Sequence, residues 1–388
     1  MPFHNPLVIL AILCTNIVLA EWLARKRGFK HFGAALIVIL ITAVTANLKI
    51  IPANLEQAPV YDGIFSYVAP LAIFYLLLTI NLRDIKKAGL PMIGMFLLGA
   101  AGTMVGALVG IWLIDGPRAF GADYPAIAGM FVATYTGGSV NFNAIALHYG
   151  VAKNGLLYAG AVAVDNIITT LWMIATLGLP KLLQIFIKPR HATAYAPVQI
   201  SETTPELNHD TETVNPMNLG VMLAAGLVAL ALSDWIAAGL QTIGIKMPSI
   251  IVLSTIALGL AQIRWVNRLR GSRVLGLFMV YLFLAVIGAF CDLSALSGLE
   301  QLGLSFLAFT TTIVLVHGLI IFGVAALLRL DWDLVAVASQ ANIGGPPSAL
   351  AVAESLQRED LLLPAILVGA LGYGMGTYLG FFVSGWVL

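Results

Sequence analysis

Charge is what this sequence has least of. Asp, Glu, Lys and Arg make up only 10% of its 388 residues, where a water-soluble domain carries about a quarter. The 20 basic and 19 acidic residues nearly cancel, and no block of like charge exists that could lie along a nucleic acid. Cysteine is nearly absent too. Cys14 and Cys291 both fall in or at the end of apolar segments, so neither a disulfide framework nor a cysteine metal site follows. A phosphate-binding glycine loop, a His-Glu-x-x-His pair, a Gly-x-Ser-Gly nucleophile and a Gly-x-Gly-Asp motif are all missing, which sets aside ATP as a driving force and intramembrane proteolysis as an activity. The chain reads as a non-enzyme without a cofactor.

What is abundant is apolar: 60% of residues are hydrophobic and the mean hydropathy is +0.94. Runs of roughly 20 apolar residues are long enough to cross the hydrocarbon core of a bilayer. They lie near 7–24, 33–52, 64–80, 90–114 and 155–179, and again near 217–240, 248–263, 274–291, 302–328 and 362–387. The first run lacks the basic flank of a cleavable signal and is read as the first span. Residues 188–216, rich in Thr, Glu, Pro and Asn, cannot bury enough apolar surface to fold alone and form a polar linker between residues 1–187 and 217–388.

The two halves match each other. Ala20-Glu21-Trp22-Leu23-Ala24 falls against Ser233-Asp234-Trp235-Ile236-Ala237, Asn81-Leu82-Arg83-Asp84 against Cys291-Asp292-Leu293-Ser294, and Thr136-Gly137-Gly138-Ser139 against Ile343-Gly344-Gly345-Pro346. Self-similarity of this kind reveals architecture before any motif does. Each half holds one weaker apolar segment, near 125–148 and 334–356. If both enter and return as re-entrant hairpins, each half has five crossings and the halves are inverted; the cytoplasmic side then holds all but four of the 20 basic residues, the exceptions being Lys49, Arg118, Lys153 and Lys246. If both cross, the basic residues split evenly. The positive-inside rule selects the inverted arrangement, with both termini periplasmic and the linker cytoplasmic.

Paired glycines break each hairpin. Backbone groups freed at membrane depth need protein, water or ligand beside them, so such breaks persist where they line a cavity. Thr136, Gly137, Gly138, Ser139, Asn141 and Asn143 in the first hairpin, and Asn342, Gly344, Gly345, Pro346 and Ser348 in the second, are the expected substrate-binding residues. Asp165 is the clearest ionisable residue inside a span, and a buried carboxylate there is a functional hypothesis. With Asn166, Thr169 and Gln340 it makes the expected coupling group. Sodium, if that is the coupling ion, is expected among Asp165, Thr136, Asn141 and Asn342; a proton is the alternative. Thr169, Trp172 and Thr176 follow Asp165 at helical spacing, so this face is expected to look toward the hairpins. His317 reads as a packed histidine, and the stripes Gly102-Gly106-Gly110 and Gly372-Gly376-Gly380 as close helix contacts.

The two paired-glycine motifs, with the repeat around them, resemble an uncharacterised bacterial and plastid integral-membrane family distantly related to the glutamate:sodium, 2-hydroxycarboxylate:sodium and bile-acid:sodium symporters. The resemblance spans nearly the whole chain. It implies an all-α membrane protein with two inverted repeats of five transmembrane helices plus one re-entrant hairpin each, and an elevator-type core moving against a dimerising scaffold. The expected function is cation-coupled symport of a small organic solute by a homodimer in the bacterial inner membrane; a passive, holin-like pore is the alternative. No arginine stands in either hairpin to clamp a dicarboxylate.

Overall fold

A computed structural model describes residues 3–26, 33–53, 57–80, 82–83, 85–189, 215–245, 247–267, 269, 271–291 and 299–387. Most of the polar linker, residues 190–214, lies outside the described residues. So do Arg27, Lys30, Lys246, Arg268 and Arg270 of the charge count, and Asn81, Asp84, Asp292, Leu293 and Ser294 of the repeat match.

No strand occurs among the described residues. In the first half the helices are α1 (Pro6–Ala24), α2 (Gly33–Asn47), α3 (Pro59–Gly63), α4 (Ala69–Leu77), α5 (Leu90–Leu113), α6 (Gly116–Phe120), α7 (Tyr124–Gly137), α8 (Ser139–His148) and α9 (Gly155–Phe186). In the second they are α10 (Pro216–Thr242), α11 (Ser249–Ala261), α12 (Arg264–Asn267), α13 (Ser272–Ala289), α14 (Leu299–Leu328), α15 (Trp332–Ile343), α16 (Gly345–Ser355) and α17 (Leu362–Val387). A π-helical turn, Ile64–Val68, joins α3 to α4 as one rod. Among the described residues eight helices are long and apolar enough to cross a membrane, and two shorter apolar ones, Ala34–Asn47 and Ser249–Ala261, fill the remaining expected places. The chain is an all-α, multi-pass membrane protein.

Local chemistry sets the helix ends. Asn5, Asn154, Asn215 and Asp331 each cap a helix by accepting from an amide of its first turn, and prolines open α1, α5, α7, α10 and α16, where no N–H partner is needed. Two ends differ from the apolar runs. The second run was expected to reach residue 52, but α2 stops at Asn47 because the chain turns left-handed at Lys49, with φ 58°. Conversely, α9 continues through Pro180 to Phe186; a proline is tolerated where neighbouring groups satisfy the freed carbonyl.

The helices sort into two groups by packing. In one, α5 lies along α14, α7 along α17, and α8, α9, α15 and α16 fill in around them. In the other, α1 packs on α2, α10 on α11, and both pairs flank the contact between α4 and α13. Glycine makes the first group tight. A Cβ on Gly106 would lie 2.7 Å from Ile313 O, and one on Gly380 would lie 2.8 Å from Gly129 O, so these backbones touch in the way small residues allow between membrane helices.

Candidate functional site

Each short helix pair is interrupted where the glycines are. Gly138 ends α7 with φ 81° and ψ 177°, a conformation nearly confined to glycine, and its N–H donates to Thr134 O at 2.7 Å. Gly344 ends α15, donating to Gln340 O at 2.9 Å, and Gly345 follows with φ 75°. Neither α8 nor α16 has a side-chain cap at its start. Both begin at a break with their positive dipole end.

The two breaks meet at one side chain. A Cβ on Gly138 would lie 3.2 Å from the Tyr373 ring, and one on Gly345 would lie 4.0 Å from its hydroxyl. Tyr373 of α17 therefore spans from one break to the other. Just beside it, Thr136 O presses on Gly372, where a Cβ would come within 2.2 Å, and the Phe96 ring of α5 closes the same point at 3.0 Å.

Among the described residues seven buried side-chain polar atoms lack a hydrogen-bond partner, and five of them lie on the broken helices α7 and α15 or on α9: Tyr135 Oη, Thr136 Oγ1, Asp165 Oδ1, Gln340 Nε2 and Asn342 Oδ1. Tyr135 faces Asp165, yet neither phenol nor Oδ1 closes a hydrogen bond of ordinary length. An unsatisfied buried polar group costs about 1–3 kcal/mol. These five on α7, α9 and α15 mark polar surface inside the bundle, with four oxygens able to accept from a donor or face a cation.

Several of the other expected residues are engaged within the protein. Asn141 donates to Gly137 O at 2.9 Å and accepts from Thr377 N at 3.2 Å and Thr377 Oγ1 at 2.6 Å, so its amide ties the break to α17. Asn143 accepts from the Tyr158 hydroxyl. Ser348 donates to Gly345 O at 3.0 Å, closing the first turn of α16, and Pro346 abuts Gly369. Ser139 is exposed and Gly137 is buried against Gly372. Asn166 and Thr169 are half-buried on α9, and neither side chain hydrogen-bonds to a hairpin. Further along α9, Trp172 and Thr176 do reach α15, so the polar face of this helix turns toward the second hairpin.

Those contacts belong to a buried chain of hydrogen bonds that sequence reasoning missed. His317 lies 2.9 Å from Gly99 O through Nδ1 and 2.8 Å from Ser339 Oγ through Nε2. A carbonyl only accepts, so Nδ1 carries the proton, Nε2 accepts from Ser339, and Ser339 accepts from Trp172 Nε1 at 3.0 Å. Thr103 links Gly99 to Tyr135 O at 3.2 Å. The chain joins α9, α15, α14, α5 and α7 directly behind the breaks. His317 is isolated in sequence, and only packing reveals its partners.

At the base of the second hairpin Arg358 contacts Asp331 at 2.9 Å, Asp333 at 3.1 Å and Asp360 at 2.8 Å. Hydrogen bonds that it donates to Asp360 and Asp331 hold its guanidinium charged well beyond the ordinary range. A separate crevice of about 250 Å3 opens between the two helix groups, with Asp62, Ser66, Ser233 and Asp234 on one wall and His148 and Lys153 on the other. It meets α8 at the end opposite the break, about 15 Å away along ten helical residues. Among the described residues no cluster of three or more His, Cys, Asp or Glu is placed to hold a metal.

Comparison with known proteins agrees with the membrane assignment. The family described as "Protein of unknown function (DUF819)" matches residues 8–388. An uncharacterized membrane protein of Bacillus subtilis (strain 168), YjcL, is 28% identical over 389 aligned residues, covering 95% of each chain.

Proposed function

The chain belongs to the DUF819 family, and from the junction of its two helix breaks we propose that it is a secondary active transporter for a small organic solute, driven by a sodium or proton gradient. The observation that carries the reading is the meeting of both glycine breaks at Tyr373, together with five unpartnered buried polar atoms on α7, α15 and α9. Unwound helices whose positive ends and free oxygens converge inside a membrane protein suit a solute and a coupling cation. Thr136, Asn342 and Asp165 supply the free oxygens for the cation; Asn141, committed to Thr377, acts by holding the first break in place. The solute lies between the tips, beside Tyr373. No cofactor and no covalent step is needed.

The packing supports two inverted repeats. Exchanging α1 with α10, α2 with α11, α4 with α13, α5 with α14, and α9 with α17 maps most of one set of helix contacts onto the other, and the α5–α14 and α4–α13 pairs onto themselves. Each hairpin lies along the last helix of the opposite half: α7 on α17 and α15 on α9. In this reading the site-bearing group moves as an elevator against the outer group, which dimerises. On the same reading both termini face the periplasm of the inner membrane, which the positive-inside bias of the sequence favours.

Uptake into proteoliposomes with and without a sodium or pH gradient tests the proposal. Accumulation is expected to follow one gradient, and Asp165→Asn to abolish that dependence while leaving solute exchange. Flux indifferent to both gradients would instead identify a passive pore. An Asp165→Asn variant that accumulates solute like the parent would remove the carboxylate from coupling.

A further inference from the structure

Where α5 and α14 diverge, the surface opens into an apolar groove of about 440 Å3, lined by Leu90, Pro91, Met95 and Leu98 on one side and Val324 and Leu328 on the other. Its cause is in the sequence. At Gly102, Gly106 and Gly110 the α14 backbone comes up against α5, and the His317 and Ile321 side chains close on Gly99, but below Gly99 larger side chains part the helices. Gly94 then forms an open floor, since a Cβ there would meet nothing within 4 Å. The volume lies within the range of small-molecule sites, about 300–1,000 Å3. Almost no polar surface faces it, so its occupant in this part is a hydrocarbon.

The groove ends in positive charge. Lys86 sits in the turn Ile85–Ala88 that leads into α5. Arg329 stands between the lining residues Leu328 and Leu330, on a left-handed backbone with φ 52°. Both side chains are exposed, and among the described residues neither has an acidic partner. The nearest carboxylates in sequence to Arg329, Asp331 and Asp333, are already held by Arg358. An apolar slot whose open end carries unengaged cations is complementary to an anionic glycerophospholipid.

We propose that this groove is a binding site for one anionic phospholipid, with an acyl chain between α5 and α14 and the headgroup phosphate against Arg329 and Lys86. The proposal is independent of the transport reading, because it needs only a membrane-embedded chain.

Native mass spectrometry of the purified chain tests it, with phosphatidylglycerol and phosphatidylcholine as competing probes of matched acyl chains. One phosphatidylglycerol should be retained, preferred over phosphatidylcholine by about fivefold for each basic residue engaged. Gly94→Leu should fill the floor without a clash and cut retention at least tenfold. Leu328→Trp fills the slot from the opposite wall and should do the same, so a fold defect in one variant leaves the other to decide. Arg329→Gln with Lys86→Gln should equalise the two lipids while acyl retention persists. The proposal is overturned if Gly94→Leu and Leu328→Trp retain phosphatidylglycerol like the parent. It is equally overturned if the parent shows no preference between the lipids, or if blocking the groove dissociates a dimer, which would make the occupant a second copy of the chain.

Discussion

The two hairpins have the same outline and are held by opposite means. The first, α7 with α8, is joined to α17 by backbone contact. Cβ atoms on Gly129, Gly137, Gly372 and Gly376 would each fall within 2.7 Å of a facing backbone oxygen, and the Asn141–Thr377 hydrogen bonds add a side-chain tie near its tip. In the second, α15 is held by side chains: Ser339 by His317 and Trp172, Gln340 by Thr176, and Asn342 by Phe96 O at 3.0 Å. Arg358 binds its base to α16. Close backbone contact leaves few rotamers to turn, so the first hairpin and α17 are expected to move together. Hydrogen bonds can be exchanged one at a time, so the second hairpin is expected to be the one that shifts relative to its supports.

The contrast breaks most sharply at Gly137. A methyl group there would sit 2.0 Å from Gly372 O, against backbone that cannot retreat. Gly137→Ala or Gly372→Ala should therefore destabilise the protein by on the order of 3 kcal/mol or more. Thermal unfolding of the purified variants reads this directly; a loss under about 1 kcal/mol would show that α7 and α17 can separate.

The hydrogen-bonded hairpin should give a smaller, divisible loss. Ser339→Ala leaves both His317 Nε2 and Trp172 Nε1 without that partner, the first fully buried and the second on a residue 9% exposed, at a cost of about 2 kcal/mol. In a double-mutant cycle with His317→Phe, most of that loss should be shared between the two positions. Additive losses would mean that the buried chain is not one unit.

At the tips the comparison narrows to one ring. Gly138 and Gly345 both hold positive φ, so alanine strains the backbone at each. Only at Gly138 would the new methyl also press on Tyr373, at 3.2 Å against 4.0 Å at Gly345. Gly138→Ala should thus be the worse variant by about 1 kcal/mol, and Tyr373→Ala should remove the difference.

Much of this was legible in the sequence. Apolar runs located the helices, because a bilayer dictates their length and composition, and the paired glycines located both breaks, because freed backbone inside a membrane demands a special residue. Asp165 announced itself by its charge. Tyr373 did not: it sits in an apolar helix more than two hundred residues from Gly138, and its role depends on which glycine faces its ring. His317 carried a clue in being buried and basic, but its use depends on three helices converging. Asn141 shows the reverse. Its position at the break pointed to ligand binding, while the structure commits its amide to Thr377.

The smallest test concerns the base of the second hairpin, where Arg358 faces three carboxylates. Asp333 is the weak member. Burial pushes its carboxyl above the ordinary value of 3.8, and the hydrogen bond from Arg358 opposes that shift without cancelling it. Because the folded state holds this proton more tightly than the unfolded chain does, the contribution of Asp333 to stability is largest below the ordinary carboxyl range. It declines as pH rises through the raised folded value, and at neutral pH the charged side chain is a net cost. Asp333→Asn removes the titration while keeping the shape. Relative to the parent, the variant should gain stability between pH 4 and pH 7, by less than about 1 kcal/mol because the cluster is partly open to solvent. Thermal unfolding of both proteins across that range measures the difference. If the variant instead loses ground as pH rises, the attraction of Arg358 outweighs the burial of Asp333, and the base of this hairpin is a locked joint like the glycine seam of the first.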